Sequence, residues 1–189
     1  MVGLDLEIQQ WLSQHRTPVL TTVARWVMDA GMSGAVVVAV GAAGLVVVVM
    51  KRWWWQGITV GVSVVTAQAA ARALKQMIQR GRPSGDLTVV QVGAFSMPST
   101  VAAMTAAVAV ASYLVLPWPA ERRGWIVGLL AAPLVSIGVA MVYLGAHWAT
   151  DVVAGWGVGA GVAGVVVTLA RVAASNVRVD GGQDASTRT

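Results

Sequence analysis

Between Asp29 and Lys51 the chain reads AGMSGAVVVAVGAAGLVVVVM (Ala30–Met50), 21 residues without one ionisable side chain. At ~1.5 Å of rise per residue, a helix of that length covers the ~30 Å hydrocarbon core of a bilayer. The same reading extends outward in both directions. Downstream, a second run starts at Trp53 and continues helically past Arg72 and Lys75 to about Gln79. A third covers Pro98–Leu116, where Pro117 and Pro119 stop it, and a fourth runs from about Gly124 to Leu144. The fifth, Val152–Ala170, spans 19 residues between Asp151 and Arg171. Upstream, Leu4, Ile8, Trp11, Leu12, Val19, Leu20, Val23, Trp26 and Val27 keep helical spacing, but His15, Arg16, Pro18 and Arg25 interrupt any crossing. The expected fold class is therefore all-α: a polytopic membrane helix bundle of about five transmembrane helices plus an N-terminal interfacial amphipathic helix within residues 1–29. Residues 1–172 are expected to form a single transmembrane domain, and the polar residues 173–189 a disordered cytoplasmic tail.

Composition agrees. Of 189 residues, 57% are hydrophobic and 11% charged, less than half the ~25% charged residues of ordinary soluble domains. Mean hydropathy is +0.70. A water-soluble enzyme, a nucleic-acid module and a disordered tail protein are excluded on those grounds. The absence of cysteine rules out a disulfide framework, a thiolate zinc site and a thiol nucleophile. The net charge of +5 comes from basic residues set in pairs between apolar runs rather than in a nucleic-acid stripe. Lys51-Arg52, Arg122-Arg123 and the tail residues Arg171, Arg178 and Arg188 fall on one side, which the positive-inside rule makes cytoplasmic. The opposite, extracytoplasmic face receives the Gln79–Met97 loop and the Gly145–Thr150 turn, together with Arg16 and Arg25, which run against the rule. The expected location is the cytoplasmic membrane, multi-pass.

Ionisable groups inside a span cost about 2.5–3.5 kcal/mol each, so they face a bundle interior or a site. In the second span Gln68, Arg72, Lys75, Gln79 and Arg82 recur at spacings of four, three, four and three, one stripe climbing to the outer face. His147 and Asp151 stand four apart at the outer junction of spans four and five. A carboxylate one turn from an imidazole can fix its tautomer and raise its basicity. Ser96-Met97-Pro98-Ser99-Thr100 opens span three, and a hydroxyl-rich helix start with outward N–H groups favours phosphate. Two cations, that helix start and a His–Asp pair together point to phosphoryl chemistry on an amphiphile.

At these residues the chain resembles the type 2 phosphatidic acid phosphatase (PAP2) family of membrane phosphatases. The family's first motif, Lys-x6-Arg-Pro, is met by Lys75, Arg82 and Pro83. Its second, Pro-Ser-Gly-His, is half met by Pro98-Ser99, with Thr100 and Val101 in place of Gly and His. Its third, Ser-Arg-x5-His-x3-Asp, keeps His147 and Asp151, while Ala140 and Met141 occupy the Ser-Arg positions. The resemblance implies that His147 attacks phosphorus and becomes a phosphohistidine, with Asp151 orienting it. Lys75, Arg82, Ser99, Thr100 and the first-turn amides of span three would hold the phosphate oxygens, with no metal and no cofactor, at the extracytoplasmic face.

The departures bear on the substrate. The second-motif histidine is the family's general acid, and Val101 cannot donate a proton. A general acid is worth about 10²–10⁴ in rate and one lost transition-state donor, as at Met141, about 10²–10³. An alkoxide leaving group needs a proton badly, whereas a phosphate leaving group needs it much less. The expected partner is thus a lipid phosphate in the bilayer, and more specifically a lipid diphosphate such as a polyprenyl diphosphate; no nucleic acid is expected. The alternative is an impaired pseudo-phosphatase that binds lipid phosphate headgroups as a carrier, sensor or partner subunit. A channel or transporter has Arg72 in its favour but no internal repeat. The Gly159–Gly164 match to GxGxxG lies mid-span with no preceding strand, so Gly155-x3-Gly159 and Gly157-x3-Gly161 read as small-residue helix packing.

Overall fold

The structure, a computed structural model, describes the backbone of residues 2–186 and side chains within residues 3–175. Seven α-helices follow one another: α1 (Val2–Gln14), α2 (Pro18–Met32), α3 (Gly34–Lys51), α4 (Trp54–Ile78), α5 (Thr100–Val115), α6 (Arg123–Tyr143) and α7 (Ala149–Ser186). Single 3-10 turns, Gly85–Leu87 and Ala120–Arg122, lie in the connections before α5 and α6. Helices α3, α4, α6 and α7 contain four stretches long and apolar enough to cross a membrane. The expected third span is α5, apolar but only 16 residues, or ~24 Å, long. The backbone of α7 continues to Ser186 through the segment read from sequence as a tail, while residues 187–189 lie outside the described residues.

The distribution of polarity is that of a membrane protein. Large apolar side chains point outward (Val38 and Leu129 each 71% exposed, Trp125 84%), and the buried set includes Gln9, Ser63, Ser96 and Ser99. Apolar groups gain nothing by leaving a lipid surround, so close backbone packing and polar contacts must hold the helices together. Helix α5 lies between α4 and α7, buried through Ala102, Ala103, Ala106, Ala107 and Ala111. The approach is set by Gly155 and Gly159 of α7. A Cβ on Gly155 would stand 2.5 Å from the Ser99 carbonyl oxygen, and one on Gly159 would collide with the Ala103 carbonyl. Gly157 and Gly161 face open space instead, so only the first small-residue pair packs.

The N-terminal stretch expected to hold one amphipathic helix is two. Pro18 removes an N–H and fixes φ, which breaks α1 from α2, and the Thr17 side chain caps α2 by accepting from the Leu20 N–H at 3.3 Å. Helix α2 packs on α6 through Ala24 and Met28. Helix α1 turns its polar residues inward: Asp5 and Gln9 are fully buried, while Leu4 and Trp11 are exposed. The topology brings the end of α4, the start of α5, the end of α6 and the start of α7 to one pole of the bundle, with α1 alongside. The Lys51-Arg52 and Arg122-Arg123 pairs lie at the turns of the opposite pole.

Candidate active site

Helix α4 delivers Lys75 in its last turn, then ends at Gln79, whose φ of 50° places it in the left-handed region and turns the chain sharply. The strand-like return that follows is held to the chain before α5. Ser96 donates its N–H to the Arg80 carbonyl at 2.8 Å, and its hydroxyl lies 3.1 Å from the carbonyls of Arg80 and Gly81. Arg16 donates to the Leu87 carbonyl at 2.7 Å and the Tyr143 carbonyl at 3.0 Å, and Arg25 to the Val89 carbonyl at 2.8 Å. These two basic residues, anomalous for the positive-inside rule, are thus structural pins of the loop between α4 and α5. Gly145, at φ 73°, lets the α6–α7 turn pass so close to Leu87 that a Cβ would strike its carbonyl oxygen.

The framed cavity has a volume of about 370 Å³. Its polar lining is Lys75, Arg82, Gln91, Thr100 and His147. Its apolar lining includes Met32, Val92, Val101 and Met141. Arg82 Nη1 stands 3.1 Å from His147 Nε2 and also donates to the Ala146 carbonyl, while Nε donates to the Gly93 carbonyl. A guanidinium has donors only, so the imidazole must present its Nε2 lone pair and carry its proton on Nδ1. On the far side, Nδ1 is 3.5 Å from Asp151 Oδ2. Asp151 is itself fixed: Oδ2 accepts from the Trp148 N–H at 2.9 Å, and Oδ1 from Arg80 Nη1 at 2.8 Å. Burial, reinforced by the Arg82 and Lys75 charges, pushes the His147 pKa below its ordinary value, against the pull of Asp151. The imidazole is therefore neutral at pH 7, the form in which Nε2 can act as a nucleophile.

The three sequence fragments meet here, with a division of labour. Lys75, Arg82, Thr100 and His147 line the cavity. Ser99 and Asp151 are fully buried behind it. Ser99 caps α5, its hydroxyl accepting from the Ala102 N–H at 3.4 Å and lying 3.7 Å from Met141 Sδ. Its own N–H donates to the Asp151 carbonyl at 2.9 Å, which laces the second fragment to the third. Arg72 is exposed on the outside of α4 and Gln68 meets Met104, so the lower half of the polar stripe stays out of the cavity. Four participants were invisible to spacing: Asp5, Gln9, Arg80 and Thr150. Arg80 falls beyond the end of α4, where helical periodicity no longer says which way a side chain points. Asp5 and Gln9 sit four apart on one helical face, a signal that on its own reads as solvent-facing polarity.

The PAP2 superfamily model matches residues 56–174. Among solved structures, the fold is similar to that of a transmembrane PAP2-type phosphatidylglycerolphosphate phosphatase from Bacillus subtilis. That likeness has a TM-score of 0.77 and 24% identity and covers 88% of this chain and 84% of that one. It is also similar to LpxE from Aquifex aeolicus, with a TM-score of 0.71 and 21% identity, over 87% of this chain and 95% of that one. No curated protein matches the sequence. The chain belongs to the PAP2 superfamily.

Proposed function

We propose that this PAP2-superfamily chain is an integral-membrane phosphatase that hydrolyses a lipid phosphate through a phosphohistidine on His147, and that it prefers a lipid diphosphate. The observation that carries the reading is the His147 imidazole. It is buried, with Nε2 directed at Arg82, with Lys75 lining the same cavity, and with Asp151 behind Nδ1.

The terminal phosphate would displace the Arg82–His147 contact and take Arg82, Lys75 and Thr100 as partners. Nε2 then attacks phosphorus; the bond from phosphorus to the bridging oxygen breaks, and the lipid monophosphate leaves with the electron pair. Asp151 stabilises the positive charge that develops on the ring, as the carboxylate of a nucleophile–orienter pair does. Water attacks the phosphohistidine next, releasing inorganic phosphate and returning the neutral imidazole. Lys75 and Arg82 stabilise the oxygens throughout, and such preorganised charges are the largest single catalytic contribution in many sites. By the positive-inside reading, these steps take place at the extracytoplasmic face, opposite Lys51-Arg52 and Arg122-Arg123.

The apolar wall supports the diphosphate preference. Val101 and Met141 both line the cavity, and no carboxyl group does among the described residues; Asp86 stands outside it, its backbone carbonyl facing Arg16. A departing phosphate tolerates that wall and an alkoxide does not. The test is phosphate release by purified protein from a polyprenyl diphosphate and from phosphatidic acid. The diphosphate should turn over faster by about 10²-fold or more, the scale of a missing general acid; faster release from phosphatidic acid contradicts the preference. The same wall favours one second reading, a binder of lipid phosphate headgroups without turnover. Equal release by wild type and His147→Ala would leave only that reading.

A further inference from the structure

Helix α1 reaches the site through a buried chain of ion pairs. Asp5 and Asp151 face one guanidinium from two sides: Arg80 Nη2 lies 2.7 Å from Asp5 Oδ2, and Nη1 lies 2.8 Å from Asp151 Oδ1. Both carboxylates are essentially inaccessible, at 1% and 0% exposure. Asp5 Oδ1 also accepts from the Thr150 N–H at 3.1 Å, and the Thr150 hydroxyl bridges Asp5 and Arg80. Arg80 covers the Trp148 ring at 5.4 Å from its centroid. One turn along α1, Gln9 Nε2 donates to the His147 carbonyl at 3.0 Å and the Val142 carbonyl at 2.9 Å. A helix that only rested on a membrane surface would have no reason to bury Asp5 and Gln9 in the turn that carries His147.

Charge bookkeeping gives the chain Asp5–Arg80–Asp151 one net negative charge. Arg80 draws Asp151 away from the imidazole, since it holds Oδ1 at 2.8 Å while Oδ2 stays 3.5 Å from Nδ1. Asp5 competes for the same guanidinium and relaxes that draw. We propose that Asp5 is a positioning residue: by sharing Arg80 with Asp151, it sets how much of the Asp151 negative charge reaches His147. The proposal deepens the phosphohistidine reading and takes its catalytic meaning from it. The charged groups facing His147 are Lys75 from α4, Arg82 from the loop after it, and Asp151 from α7, with Arg80 behind Asp151 and Asp5 of α1 behind Arg80. Helices α2 and α5 contribute Met32, Thr100 and Val101, all uncharged.

The test reads the imidazole directly. His15 is the only other histidine and is exposed, so His15→Asn leaves a single imidazole signal in the full-length chain, isotope-labelled and held in lipid nanodiscs. Asp5→Asn leaves Arg80 to Asp151 alone and should lower the His147 pKa by roughly half a unit, less than the 1–3 units of a direct charge pair. Arg80→Gln removes the cation between two carboxylates and should raise it by a similar amount or more. Arg80→Lys keeps the charge and should stay nearer wild type. A purely structural role predicts something else: both losses would open the site and carry the imidazole up toward its ordinary value. Shifts of the same sign, or no shift with Asp5→Asn, overturn the proposal; if Arg80→Gln does not fold, the sign with Asp5→Asn decides alone. Turnover measured on the same samples separates the two levels. Opposite shifts in a protein that releases no phosphate would sink the phosphohistidine and leave the positioning intact.

Discussion

The cavity has two walls of opposite character. One is built by Lys75, Arg82 and His147, from the end of α4, the loop after it and the α6–α7 turn; the other by Val101 of α5, Met141 of α6 and Val92 of the loop between α4 and α5. The first wall holds what is needed to bind an anionic phosphorus centre and attack it. The second sits where the resemblance to the PAP2 family leads one to expect a proton donor and another guanidinium, and it offers neither. On the proposed mechanism, binding and attack are separable from leaving-group protonation, and the residues of this cavity would serve the first pair but not the last. A substrate whose leaving group is already a stable anion suits such a site.

Four changes break or sharpen that contrast. The largest effect is expected from His147→Ala, which removes the proposed nucleophile from the polar wall. Phosphate release from a lipid diphosphate should fall about 10⁴–10⁶-fold, the scale of losing a covalent nucleophile. Next, Val101→His together with Met141→Arg converts the apolar wall into a second polar one. Phosphatidic acid turnover should gain about 10²–10⁴-fold over diphosphate turnover, the share of the restored acid, while the restored guanidinium raises both, so the ratio of the two rates is the informative measurement. Arg82→Gln should cost about 10²–10³-fold in kcat/KM by removing a transition-state donor. Arg82→Lys should recover part of that loss, because it restores the charge without the planar fork.

The smallest effect concerns pH. In the proposed mechanism His147 must be neutral to attack, and burial beside Arg82 and Lys75 lowers its pKa from the usual value of about 6.5. The acid limb of the rate profile should therefore lie below pH 6.5, with activity lost only as pH falls through the lowered pKa. The unfolded chain takes up this proton first on acidification, so stability contributed by the neutral imidazole is present above pH 6.5 and is lost over the same range. An acid limb centred at about pH 6.5 in a phosphate-release assay would show the imidazole to be exposed, and one above it dominated by Asp151, both contrary to the geometry.

Helices α3 and α1 show how unevenly the sequence carried this structure. Ala30–Met50 announced α3 by length and apolarity alone, yet α3 buries no side chain and contributes nothing to the cavity lining. Helix α1, with interrupted periodicity and a mixed face, holds Asp5 and Gln9 against the turn that carries His147. Hydrophobic length is a one-dimensional property and needs no partner to be read. Inward polarity in a short helix is defined only by what it docks against.

The sequence alone therefore determined the helical membrane architecture, the Lys75–Arg82 and His147–Asp151 spacings, and the apolar Val101 and Met141 where the resemblance leads one to expect histidine and arginine. Those are matters of residue type and local period, legible within a window of a few turns. Only the tertiary structure decided that Ser99 turns to Met141 rather than into the cavity, that Arg72 stays outside, and that Arg80 joins Asp5 to Asp151. These depend on contacts between residues as far as 145 positions apart, as with Asp5 and Thr150. What a side chain meets at that separation is fixed by how the helices pack, which small residues such as Gly155 and Gly159 set through close approach.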